Sequence, residues 1–101
     1  MKLKIFGGPQ AGEVYFFRAS QEEALILGRT PECDIRINDK LLSKCQATIH
    51  YVAESNCWVM QDGLTGKPST NGTWLYLKDD HHICTGMVFK ASQTIFTAAL
   101  V

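Results

Sequence analysis

The chain has 101 residues, 46% of them hydrophobic and 20% charged, with ten Lys and Arg balanced by ten Asp and Glu. That length supports one domain, burying roughly 60–70% of the surface its unfolded chain exposes. A net charge of zero excludes a general polyanion binder drawn to nucleic acid or to an anionic membrane, and leaves room for a local anion site.

Residues 2–6 pattern as a strand stopped by Gly7-Gly8-Pro9. This start breaks too early for a secretory apolar segment, and no later apolar run approaches the ~18 residues of a membrane span. An intracellular location is therefore expected. Residues 13–18 carry Val14, Tyr15, Phe16 and Phe17 and predict a second strand. Ser20-Gln21-Glu22-Glu23 matches a capping box, which would open a short helix cut off by Gly28 after about two turns. Strand patterns follow at 24–27 and at 34–37, the latter stopped by Asn38-Asp39.

Between 41 and 52 the periodicity fits two readings. Leu41, Leu42, Cys45, Ile49 and Val52 have helical spacing, whereas 46–52 alternates as a strand with Ala47, Ile49 and Tyr51 on one face. The β-branched and aromatic content of 48–52 favours the strand. Further strands are expected at 57–61, ended by Asp62-Gly63, and at 73–77, 87–90 and 94–100. Many short strands with turn signals between them predict an all-β sandwich or barrel. With no repeat, linker or low-complexity tract, residues 1–101 read as a single domain.

Cys33, Cys45, Cys57 and Cys84 form no C-x-x-C pair and read as small hydrophobes in a reducing compartment. His81, His82 and Cys84 do not make a zinc site, because adjacent histidines point apart on a strand and no fourth ligand is evident. Gly63-Leu64-Thr65-Gly66-Lys67-Pro68 fails as a P-loop: Pro68 stands where Ser or Thr is needed, and a strand pattern follows. Asn71-Gly72-Thr73 is a formal glycosylation sequon, expected to be unused without a secretory signal. No nucleophile–base constellation stands out, so neither an enzyme nor a cofactor or metal is expected.

Polar chemistry beyond what turns require collects in three loops: Gly28-Arg29-Thr30-Pro31, Leu41-Leu42-Ser43-Lys44 and Ser69-Thr70-Asn71-Gly72. A lone loop Arg is ordinarily solvated and a lone loop Ser is ordinarily a turn former. Together, a guanidinium fork, hydroxyls, a lysine and backbone amides suit a phosphate dianion.

In series, Leu27-Gly28-Arg29, Cys33-Asp34-Ile35-Arg36-Ile37, Leu42-Ser43, Trp58-Val59-Met60-Gln61-Asp62 and Ser69-Thr70-Asn71-Gly72-Thr73-Trp74 resemble the forkhead-associated (FHA) domain. The resemblance covers roughly residues 25–77 and implies a β-sandwich of two twisted sheets, about 10–11 short strands, with the binding loops at one end. It implies a non-catalytic module that binds phosphothreonine segments of partner proteins, excised from a larger protein. Arg29 and Ser43 would bind the phosphate with help from Lys44. Thr70 would add a hydroxyl, and Asn71 would hold the ligand backbone. Leu41 and Lys67 would touch flanking residues of the peptide. Gly28, Gln46, Gly72 and Trp74 would be structural, with the Trp74 ring in the core.

Three departures from the family pattern stand out. Gln46 occupies the position of the family's bracing histidine in Ser-x-x-His, which predicts a weakened brace. Residues 63–68 are longer than the usual link, and Gly86-Met87-Val88 lacks the acidic residue often seen after that glycine. The first two keep a second reading open, a scaffold or dimerisation domain of the same fold that ignores phosphate.

Overall fold

The β-branched and aromatic runs fold as short strands, since these side chains fit a pleated surface better than a helix. In the computed structural model, which describes residues 1–20 and 23–101, they are β1 (Lys2–Lys4), β2 (Val14–Phe16), β3 (Leu25–Gly28), β4 (Ile35–Arg36), β5 (Ala47–Val52), β6 (Cys57–Asp62), β7 (Val88–Ala91) and β8 (Thr94–Thr97). The described residues contain no helix, which settles 47–52 as strand. The capping box at 20–23 includes Gln21 and Glu22 and lies outside the described residues.

The strands form a β1-β2 pair, a four-stranded sheet in the order β4-β3-β5-β6, and a β7-β8 pair. The fold is all-β, as the patterning predicts, but its described strands number eight in three sheets rather than ten or eleven in two. Residues 73–77 are the main difference, because they form no strand. The Thr73 hydroxyl turns inward to Asp62, while Leu75, Tyr76 and Leu77 stay exposed without a ladder partner. β7 and β8 pair with each other, with the Phe89 and Phe96 rings stacked at 4.9 Å.

The four-stranded sheet carries the core. β5 and β6 pair antiparallel from Ala47 opposite Asp62 to Val52 opposite Cys57. Their connection turns at Asn56, whose φ of 50° lies in the left-handed region that asparagine tolerates. Near that turn the Tyr51 and Trp58 rings meet at 5.4 Å, a contact worth about 0.5–1.5 kcal/mol beyond its buried area. β3 pairs antiparallel with β5, and β4 pairs parallel with β3 through Leu27–Ile35 and Gly28–Arg36. A parallel partner normally needs a long crossover. Here residues 29–34 suffice because β4 is so short and the loop folds on itself, with Cys33 N–H donating to Thr30 O at 3.1 Å and Ile37 N–H to Gly28 O at 2.8 Å.

Ile35, Ala47 and Ile49 are the buried apolar side chains of this sheet. Gln46 and Thr48 are buried beside them. The core therefore ends in polar groups where the three polar loops converge.

Candidate functional site

β3 delivers Arg29 to the loop end, and Gly28 decides what stands next to it. Gly28 is buried, and a methyl group on it would collide with the Lys44 carbonyl oxygen and crowd the Cys33 sulfur. Only a residue without Cβ lets the 41–46 loop come so close to the end of β3. The approach is fixed by Gln46 N–H donating to Leu27 O at 2.8 Å and by the Cys33 thiol donating to Lys44 O at 3.2 Å. Arg29 thereby becomes a neighbour of Ser43 and Lys44. Asp39 shapes the start of the same loop, its carboxylate accepting from Leu41 N–H at 2.9 Å and its carbonyl from Leu42 N–H at 3.2 Å.

Gln46 ties this loop to residues 69–73. Its Oε1 accepts from Ser43 N–H at 3.0 Å. Its Nε2 donates toward Gly72 O at 2.9 Å and Thr73 Oγ1 at 3.1 Å, with Ser69 Oγ at 3.3 Å sharing the same hydrogens. A brace is therefore present at the position where the family carries histidine. An amide presents an acceptor and two donor hydrogens at once, so Gln46 grips one loop with its oxygen and the other with its nitrogen.

The network ends on Asp62. Its Oδ1 accepts from Ser69 Oγ and from Thr73 Oγ1, each at 2.6 Å, and its Oδ2 accepts from Ser69 N–H at 3.1 Å. The Ser69 hydroxyl, then the Thr73 hydroxyl, hold the carboxyl below its ordinary range, against an opposing contribution from partial burial. A folded-state pKa below the unfolded value of about 3.9 gives stability that is present above that pH and lost as pH falls through the lowered pKa. Asp62→Asn is thus expected to be less stable than the parent at neutral pH, with the difference shrinking below about pH 4. Thermal melts from pH 6 to 2.5 measure it; a difference that stays constant across that range would remove Asp62 from the role of charged anchor.

Residues 69–74 form the other wall. Thr70 N–H donates to Ser43 Oγ at 3.0 Å, and the two hydroxyls lie 3.4 Å apart. Ser43 Oγ accepts the short bond, and its own proton is engaged only in the long one. Gly72 adopts φ 77°, a left-handed turn that glycine makes without strain. The turn sends Thr73 inward and Trp74 back over itself, where the indole N–H donates to Asn71 O at 3.1 Å. Trp74 is 40% exposed, not in the core as expected, because no strand forms at 73–77 to carry its ring inward. The Lys90 ammonium lies 5.9 Å from the centre of the ring.

Between these walls runs a groove of about 650 Å³. Arg29, Ser43, Lys44, Thr70 and Asn71 all line it, as do Leu41 and Lys67. Lys40 and Leu64 join them, neither of which stood out in sequence. Lys40 directly precedes the Leu41–Lys44 motif, and that adjacency was the available signal. Among the described residues, four cations and no carboxylate line the groove. Glu32 feels the charge of Lys44 from outside the lining; its carboxyl is lowered first by its own backbone amide, then by the Thr30 hydroxyl, and more weakly by Lys44 and Arg36. Among the described residues no group of three or more His, Cys, Asp or Glu is placed to hold a metal ion.

A guanidinium, a lysine and hydroxyls facing one concavity can accept a tetrahedral dianion, and an amide beside them can hold an extended backbone. A comparison with curated proteins finds no match. The family model described as the FHA domain matches residues 25–89, which takes in β3 to β6, all three polar loops and the first half of β7. Nearly two thirds of the chain lies within that match, and the chain belongs to the FHA domain family.

Proposed function

We propose that this FHA domain reads phosphothreonine in partner proteins through the groove between its 41–46 and 69–72 loops. FHA domains are in general phosphopeptide-binding modules of signalling and are known as non-catalytic interaction modules. The observation that supports the finer reading is the meeting of Arg29, Ser43, Lys44, Thr70 and Asn71 on one groove that, among the described residues, no carboxylate lines.

The roles follow from the chemistry of each group. The Arg29 fork and the Lys44 ammonium neutralise the phosphate, and Ser43 donates its hydroxyl proton to a phosphate oxygen while still accepting from Thr70 N–H. Thr70 adds a second hydroxyl, and the Asn71 amide hydrogen-bonds the peptide backbone. Charge-assisted hydrogen bonds contribute ~1.5–3 kcal/mol each. Three or four of them, less the cost of association, correspond to micromolar binding near −8 kcal/mol, roughly. Such a module works as one part of a longer intracellular protein, where kinases supply its ligand.

The scaffold alternative rested on a weakened brace and a longer 63–68 loop, and it loses support because Gln46 spans both loops through its whole amide. A peptide library presenting phosphothreonine, phosphoserine and plain threonine in the same contexts separates the two readings. Selective retention by phosphothreonine members is expected; equal retention of plain members would favour the scaffold.

A further inference from the structure

The groove holds more positive charge than one phosphate needs, and the surplus sits on a built element. A phosphothreonine carries about −1.5 to −2 charge at neutral pH. Arg29 and Lys44 match that, yet Lys40 and Lys67 line the same groove. Residues 63–68 form a miniature hairpin rather than a slack loop: Leu64 N–H donates to Lys67 O at 3.0 Å and Lys67 N–H to Leu64 O at 2.8 Å. Both of its ends are tied down. Gly63 N–H donates to Gln46 O at 2.9 Å, and Gly63 O accepts from Thr48 Oγ1 at 2.5 Å. Beyond Pro68, Ser69 N–H donates to Asp62 at 3.1 Å. Across the groove, Lys40 stands on the turn held by Asp39.

We infer that the 64–67 hairpin and the Lys40 turn select peptides with a carboxylate side chain, Asp or Glu, close to the phosphothreonine. This deepens the phosphothreonine reading and rests on it. The anchored hairpin lowers the ordering cost of presenting Lys67 to a ligand. Lysine supplies a point charge on a flexible stem, suited to a single carboxylate; the bidentate fork favoured for a second phosphate is missing, because Arg29 is the one arginine on the groove. The exposed Leu41 and Leu64 give the stem of a Glu or the backbone around it an apolar surface beside those charges.

The test uses three sets of peptides on the full chain: phosphothreonine with Ala within three residues on either side, the same peptide with Glu replacing each Ala in turn, and the Glu peptides without phosphate. Anisotropy titrations at about 0.15 M and 0.5 M salt are expected to show Glu tightening binding about 3–10-fold at one or two positions, less at high salt. Lys67→Glu and Lys40→Glu, with folding checked by circular dichroism, should each cut that advantage below about twofold or invert it, and Lys in place of Glu should then be favoured. The inference is overturned if Glu gives no advantage, if both variants keep it in full, or if it is the same at every position, which would mark a diffuse field. Equal binding of phosphorylated and plain Glu peptides would instead overturn the phosphothreonine reading beneath it.

Discussion

Arg29→Ala is expected to abolish phosphopeptide binding at micromolar concentrations while leaving the melting temperature nearly unchanged. Arg29 is exposed and follows the strand end that Gly28 fixes, so its side chain can be cut back to Cβ without opening the core. The bond that Arg36 Nε donates to Arg29 at 3.4 Å goes to the backbone carbonyl and survives the change. The ligand loses its planar cationic fork and keeps a partly buried dianion with fewer partners. Truncating one member of such a pair costs ~2–5 kcal/mol, roughly 30-fold to several thousand-fold in affinity. Surface substitutions of this kind move stability by about ±0.5 kcal/mol. Calorimetry with one phosphothreonine peptide, beside a thermal melt, checks both halves. Parent-like affinity would remove Arg29 as the anchor.

Gln46→Leu is expected to give the largest loss of stability at the site, about 2–4 kcal/mol. Leucine roughly keeps the volume but strands Ser43 N–H and Gly72 O, and it takes a donor from Thr73 Oγ1. These groups are partly buried, so water replaces the amide only in part. For a domain of this size each kcal/mol lowers the melting temperature by about 4–8 °C. Affinity should fall as well, because the two walls of the groove would no longer be tied. Gln46→His is expected to lie between: a neutral imidazole accepts at one nitrogen and donates at the other, keeping the span from Ser43 to Gly72 but losing a bond to Thr73. A Gln46→Leu chain that melts with the parent would show that the loops are held by backbone contacts alone.

How much of this was legible in sequence depended on whether a signal was local. β5 and β6 were readable because β-branched and aromatic residues alternate over full-length strands with a turn between them. The residues that line the groove were readable as candidates because Arg29, Ser43 and the Thr70-Asn71 pair lie within short polar motifs in a recognisable order. Trp74 misled: its β-propensity is real, but a strand needs a partner, and periodicity carries no record of whether one arrives. Gln46 was legible only in part. Comparison with the family's histidine suggested a loss, whereas the value of its amide depends on Ser43, Gly72 and Thr73 converging from two loops. The close approach at Gly28 and the reciprocal bonds of Leu64 and Lys67 are likewise properties of packing. They become visible only when the loops are folded together.

The central claim is that the groove reads a phosphate dianion, and proton-linked calorimetry tests it most directly. One phosphothreonine peptide and its plain twin are titrated into the chain from pH 7 to pH 5, in two buffers of different ionisation enthalpy so that the protons released on binding are counted. The second phosphate pKa is near ~6, so the ligand passes from mostly dianion to mostly monoanion in this window. The Gln46 amide, where the family carries a histidine, does not titrate. The account predicts that the plain twin binds negligibly at every pH. The phosphopeptide should weaken toward pH 5 with a midpoint at or slightly below the free phosphate value, and its binding there should release protons. Flat affinity with no linked protons, or a plain twin that binds as tightly, would contradict the account.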